Sequence, residues 1–247
     1  MRCIVLAAGR GTRLGDETTD LPKCLVDLGD GTSFLSRLIA VMLDEVGLAG
    51  LVAVTGHRTE RVEALVAGHR HAERLATAFN PDYASSGPIV SIAVVRDRLL
   101  AEDFVLCNGD TAYAASLVRR LLAVDAPLAL AVERKAEPAP DEVMVRVDPR
   151  TSHLLEVGKR LASADVHGVS TGMLAVRGAE ARAAFVEMVM RYADGSDASL
   201  RQRVWHDLLN GLTADGVPVS AVTVEPGTWR EVDTVEELRA SREELGG

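Results

Sequence analysis

Short apolar runs alternate with amphipathic segments through the first half of the chain. Residues 1–7, 51–55, 75–79, 103–107 and 128–132 are apolar runs of strand length. Between them, residues 34–46, 58–70, 89–99 and 114–124 carry helical spacing, with Leu35, Leu38, Ile39, Met42 and Val46 on one face. A strand followed by a helical crossover returns parallel to itself, and a parallel sheet needs cover on both faces. The expected fold is therefore α/β, three layers deep, around a mostly parallel sheet. Ligands of such sheets bind beyond the carboxyl ends of the strands. The loops opening at Ala8, Gly56, Asn80 and Asn108 are expected to share that edge.

After Glu133 the rhythm changes. Residues 135–141 are proline-rich and polar, and 143–147 with 154–157 alternate like a half-exposed hairpin. Residues 172–176 and 219–224 read as strands, and 179–192, 200–212 and 235–245 as helices. With no internal repeat and no linker, one domain over 1–247 with an inserted hairpin is expected, its halves dividing at 133/134.

Composition narrows the function classes. The net charge is −9, which disfavours nucleic acid as a partner. No apolar stretch reaches the length of a membrane span, and no signal peptide is expected at the start. The cysteines Cys3, Cys24 and Cys107 are odd in number and lack CxxC spacing, so neither disulfides nor zinc are expected, and a cytoplasmic setting is.

The most informative segment is LAAGRGTRLG, residues 6–15, followed by LPKCL at 21–25. Three glycines let the backbone turn tightly and approach a ligand, and successive N–H groups can cradle phosphate oxygens. Arg10, Arg13 and Lys23 add positive charge beside them. Leu14 occupies a position where both the dinucleotide fingerprint and the Walker A loop need glycine, so neither applies. No helix is expected to open after Gly15; the loop is read as running on to Pro22.

Two acidic groups stand elsewhere. Asn108-Gly109-Asp110 ends an apolar strand, which puts Asp110 at the carboxyl edge of the sheet. Alternation sends Glu231 and Asp233 to one face with Val232 opposite. Asp233 with Glu236 and Thr234 with Glu237 both have capping-box spacing; a threonine cap would leave Asp233 free for other work. Two or three carboxylates with a triphosphate suit Mg²⁺, which takes oxygen ligands.

LAAGRGTRLG, PKCLVDL, a strand ending in GD, and EVD near the C-terminus occur in the order found in nucleotidyltransferases, and the chain resembles that family over nearly its whole length. It is most similar to the small choline-phosphate and phosphonate cytidylyltransferases, through Asn80-to-Ile92, Val157-Gly-Lys-Arg-Leu161 and the segment 168–174. The resemblance implies a Rossmann-like (GT-A-like) fold, with residues 1–133 binding nucleotide and 134–247 binding an acceptor. It implies CTP-dependent transfer of CMP to a small phosphonate or phosphate, with release of pyrophosphate and with Mg²⁺ as cofactor. Leu6, Ala7, Ala8, Gly9, Arg10, Gly11, Thr12, Arg13, Lys23, Ser86 and Gly87 are then nucleotide-binding. Lys23, Arg13 and Asp110 are catalytic, and Asp110, Asp233 and Glu231 hold the metal. Lys159, Tyr83 and Trp229 are assigned to the acceptor.

Ser86-Gly87 stands where relatives using choline phosphate or aminoethylphosphonate carry Thr-Asn or Asn-Asn. Of the aromatic residues, Tyr83, Tyr113 and Trp229 fall near the expected site loops, a poor supply for a quaternary-ammonium cage. A carboxylated or hydroxylated phosphonate is the preferred acceptor. The rival readings are a sugar-1-phosphate nucleotidyltransferase using UTP or dTTP, a molybdenum-cofactor-type guanylyltransferase, and a nucleotide-binding sensor without turnover. Trp205, Leu208 and Leu209 are read as core rather than as a homodimer surface.

Overall fold

In the computed structural model, which describes residues 1–161, 166–195, 197 and 199–245, the sheet forms as the alternation predicts. Strands β1 (Arg2–Ala7), β2 (Leu51–Thr55), β3 (Leu75–Phe79) and β4 (Phe104–Asn108) pair in the order β4-β1-β2-β3, every pair parallel. Helices α1 (Phe34–Ile39), α2 (Thr59–Gly68), and α3 (Pro88–Val94) with α4 (Arg96–Ala101) make the crossovers. After a short strand β5 (Thr111–Tyr113) and helix α5 (Ala115–Leu122), β6 (Leu128–Glu133) joins the same sheet.

The second half inserts into this frame. A hairpin of β7 (Met144–Val147) and β8 (Leu154–Gly158) leads to β9 (Gly168–Val176), which lies antiparallel between β4 and β6. Helices α6 (Ala179–Ala193) and α7 (Asp207–Ala214) follow, then β10 (Ser220–Val224) parallel to β6, β11 (Trp229–Glu231) and α8 (Val235–Leu245). The full order is β10-β6-β9-β4-β1-β2-β3.

The central strands β1, β2, β4, β6 and β9 are buried on both faces, so their alternate residues feed different cores. Cys3, Val5 and Ala7 pack with Leu35 and Leu38 of α1 and Leu117 of α5, while Ile4 packs with Ile89 of α3, Phe185 of α6 and Leu208 of α7. A third cluster, Leu14, Val26, Leu28, Phe34, Val232 and Leu238, ties the glycine loop to the C-terminal segment.

Three expectations are corrected. The segment after Gly11 is not an open loop: residues Thr12–Thr18 form 3-10 turns kinked at Gly15, held because Leu14 is fully buried in the third cluster. The helix expected over 89–99 breaks at Val95 into α3 and α4. The helix expected over 200–212 is a 3-10 turn at Leu200–Gln202, an extended Arg203, and then α7. Strands β5 and β11, three residues each, are too short to show a period, and they pair antiparallel with Glu231 opposite Thr111.

Candidate active site

The parallel strands end together, and backbone bonds knit their loops. Gly109 N–H donates to Leu6 O at 3.0 Å, His57 N–H to Ala8 O at 3.1 Å and Asn80 N–H to Thr55 O at 2.8 Å. The shared edge expected from the alternation therefore exists as one bonded rim.

The glycine loop leaves β1 there. Gly11 has φ +65°, and a Cβ on it would lie 2.8 Å from the Lys23 Cβ, so conformation and space both call for glycine. Thr18 Oγ1 donates to Gly11 O at 2.9 Å and closes the loop. Pro22 sets up the turn Lys23–Leu25, which buries the lysine stem and aims its ammonium at the rim.

Lys23 Nζ donates to Asp110 Oδ2 at 2.7 Å and to Asp233 Oδ1, and Arg13 Nη2 lies 2.6 Å from Asp233 Oδ2. Asp110, Glu231 and Asp233 each offer a carboxylate oxygen, and these oxygens lie within 4.8 Å of one another. The convergence depends on the β5–β11 ribbon, which brings together residues more than a hundred positions apart in sequence, and on Val232 turning into the third cluster. Of the two cap spacings, the Thr234–Glu237 box forms: Glu237 N–H donates to Thr234 Oγ1 at 3.2 Å, and Glu237 Oε2 accepts from Thr234 N–H at 2.9 Å and Asp233 N–H at 2.7 Å. Asp233 is left facing the rim.

The charges tune one another. Burial would lower the Lys23 ammonium, but the Asp110 and Asp233 carboxylates outweigh it and raise the pKa. Burial would raise Asp233, yet Lys23 and Arg13 hold it below its ordinary value. Crowding by the cleft walls, and then the charges of Asp110 and Asp233, push Glu231 up to about 7. Glu231 is open to solvent through the cleft mouth, so repulsion by the two aspartates is the durable part of that shift.

Two adjoining cavities open on this cluster. One, of about 280 Å³, is lined by Leu6, Ala7, Gly9, Gly11, Thr12, Arg13, Lys23, Asp110 and Asp233. The other, of about 400 Å³, shares Leu6, Gly9, Arg13 and Asp110 and adds Ala8, Tyr83, Ser86, Gly87, Lys159 and Glu231. Ser86 and Gly87 are fixed from the second half: Gly87 N–H donates to Arg201 O at 2.7 Å, and Arg201 Nη2 lies 2.7 Å from Asp82 Oδ2.

Two of the expected site residues fall elsewhere. Arg10 faces a separate shallow hollow with Thr18 and His57. Trp229 does not line either cavity: its indole N–H donates to Glu133 Oε2 at 2.7 Å, and the ring packs on the core. Tyr113 is likewise buried, its hydroxyl donating to Thr171 O at 2.9 Å. Sequence reasoning missed Ser91, Asn108 and His206 as lining residues, and read Trp205 as core. Trp205 is indeed buried, but its indole N–H reaches Asn108 Oδ1 at 3.0 Å at the cavity wall. The break at Arg203, which turns this pair toward the rim, carries no local sequence signal.

Residues 3–165 match the family model described as the MobA-like NTP transferase domain. The chain belongs to that family of nucleotidyltransferases. It is 33% identical over 247 residues, 98% of its length, to the "Bifunctional IPC transferase and DIPP synthase" of Rubrobacter xylanophilus. It is 32% identical over 148 residues, 60% of its length, to the "CMP-5'-(3-aminopropyl)phosphonate synthase" of Streptomyces rubellomurinus. The matches span 51% and 23% of those two proteins. In fold it resembles the CTP:phosphocholine cytidylyltransferase of Streptococcus pneumoniae, with a TM-score of 0.79, 18% identity, and coverage of 99% of this chain and 98% of that one. Among the described residues no helix is long and apolar enough to cross a membrane.

Proposed function

We propose that the chain is a CTP-dependent cytidylyltransferase that moves CMP onto a small phosphonate or phosphate acceptor and releases pyrophosphate. The observation that carries this reading is the meeting of the glycine loop, Lys23 and three carboxylates where two cavities join. Names among the relatives point the same way, to IPC transfer and to a CMP-phosphonate.

In this reading the loop cavity takes the triphosphate and the second cavity takes the acceptor. An acceptor oxygen attacks the α-phosphorus, the bond from that phosphorus to the bridging oxygen breaks, and pyrophosphate leaves in line. The chain needs no nucleophile of its own. Lys23 and Arg13 offset the charge gathering on the phosphoryl oxygens, and N–H groups of residues 8–13 cradle the phosphates. Lys159 attracts the anionic end of the acceptor, and Ser86 and Gly87 border the nucleotide. Asp110, Asp233 and Glu231 fit a hard cation by donor type and spacing, and we assign them to Mg²⁺. That ion, when bound, neutralises phosphate charge. A cytoplasmic setting belongs to the same proposal.

The test is cation-dependent pyrophosphate release with CTP, UTP, dTTP, GTP and ATP against small phosphonates, phosphocholine and glucose-1-phosphate. Release with CTP and a phosphonate or non-sugar phosphate is expected. Release confined to UTP or dTTP with the sugar phosphate would move the chain to sugar-nucleotide synthesis, a reading favoured by its 32% identity over 119 residues to a "UTP--glucose-1-phosphate uridylyltransferase" of Haloferax volcanii.

A further inference from the structure

The wall of the acceptor-side cavity holds a histidine whose proton is placed by its neighbours. His206 is 4% exposed and lines the cavity together with Lys159. Its Nε2 lies 2.8 Å from Ser170 Oγ, and Ser170 Oγ also accepts the Gly172 N–H at 3.1 Å. Ser170 is itself buried, so its hydroxyl hydrogen needs an acceptor. Among the described residues that acceptor is His206 Nε2. A bare Nε2 in a neutral imidazole leaves the hydrogen on Nδ1.

The ring is neutral: burial, with the Lys159 charge adding to it, pushes its pKa down to about 3. No described residue bonds to Nδ1, and no buried side-chain nitrogen or oxygen is left without a partner, so Nδ1 is not sealed in the core. Since the residue lines the cavity, its open side is the cavity.

We infer that His206 is a specificity-determining donor whose Nδ1–H reads an oxygen on the organic part of the acceptor, a hydroxyl or carboxylate, and disfavours an ammonium there. This rests on the transferase reading above and names the acceptor class for the same site. An ammonium would set donor against donor beside the positive Lys159. The cavity's carboxylates, Asp110 and Glu231, belong to the acidic trio with Asp233. Ser170 acts through His206 as a positioning residue. A site built to bond a substrate oxygen discriminates against analogues without it, because its own buried group is then left unpaired.

Two measurements test this. The first uses the full wild-type chain with ¹⁵N-labelled histidine, read by long-range proton–nitrogen correlation at neutral pH. His206 is assigned by the resonance lost in His206→Phe. Protonated Nδ1 with bare Nε2 is expected; the opposite tautomer overturns the inference. The second compares kcat/KM with CTP for 2-hydroxyethyl-, 2-aminoethyl- and ethylphosphonate, and for the larger pair glycerol phosphate and phosphocholine. The hydroxyl compounds are expected to exceed their amine and methyl counterparts by about tenfold or more. His206→Phe should erase that preference, and His206→Asn, whose amide N–H takes the place of Nδ1–H, should keep most of it. Equal use of all the acceptors, or preference for the amines, overturns the inference and leaves CMP transfer standing. Silence with every acceptor removes the transferase reading and the inference with it.

Discussion

The two cavities that meet at Asp110 are built by different means. The loop-side cavity is made of backbone and full charges. Its glycines and Lys23 lie within 18 residues of the end of β1, and only the carboxylates come from far away. The second cavity is lined from seven separated stretches, around residues 6–13, 83–91, 108–110, 143, 159, 204–206 and 231, with neutral hydrogen bonds in its wall such as Trp205 to Asn108 and Ser170 to His206. The first suits a ligand defined by its phosphates. The second suits a choice among ligands that share a phosphate and differ elsewhere. Charge supplies strength over distance, while neutral donors in a buried wall supply selectivity, because each fits only one partner type.

The largest effect should come from the charged side. Lys23→Met removes the cation that touches both Asp110 and Asp233. A fall in kcat/KM on the order of 10²- to 10³-fold is expected in steady-state kinetics. A variant as active as wild type would mean that the loop cavity does not depend on charge.

Next is Asp233→Asn. It takes one oxygen anion from the trio and breaks the contact with Arg13 at 2.6 Å. Affinity for Mn²⁺, used as a spin probe in the presence of CTP, should weaken about tenfold or more. Unchanged affinity would place the cation elsewhere.

A third prediction concerns pH. Glu231, raised to about 7, is protonated below that value and ionised above it. Divalent-cation affinity should therefore climb as pH rises through about 7, and Glu231→Gln should flatten that slope. The effect on stability has the opposite sign. Against an ordinary value of 4.5, the folded state holds this proton more tightly than the unfolded chain. Without metal, stability should fall as pH rises from about 4.5 towards 7. Thermal melts of wild type and Glu231→Gln should diverge above that window, with the glutamine variant the more stable.

The smallest effect belongs to the frame. Thr234→Ala removes the hydroxyl that accepts the Glu237 N–H. A loss of about 1 kcal/mol is expected, seen as a melting point lower by about 2–4 °C. A larger drop in cation affinity than in stability would show that the cap also aims Asp233.

Much of this was legible before any coordinates. Apolar runs separated by helical periods foretold the parallel strands, and Cys3, Val5 and Ile4 went to opposite cores as alternation requires. Two cap spacings were readable at the start of the last helix, and the structure takes Thr234–Glu237, which leaves the Asp233 carboxylate to Lys23 and Arg13. Expectation failed where neighbours distant in sequence override local preference. Gly15 is the kink of two 3-10 turns because Leu14 is drawn into the third cluster. Trp229 leaves the site because Glu133 offers its indole an acceptor. His206 escaped notice because its hydrogen-bond partner, Ser170, lies 36 residues away in the chain.

The α/β frame, the glycine loop with Lys23 and the three candidate carboxylates could be read from the chain alone, because periodicity, turn chemistry and motif order are written along it. The convergence of Asp110, Glu231 and Asp233, and the choice of residues that wall the second cavity, came from the folded chain. Those outcomes depend on a three-residue ribbon, a broken helix and a buried hydrogen-bond relay. Each is stabilised by contacts between segments far apart in the chain, and such contacts leave no periodic trace in either segment alone.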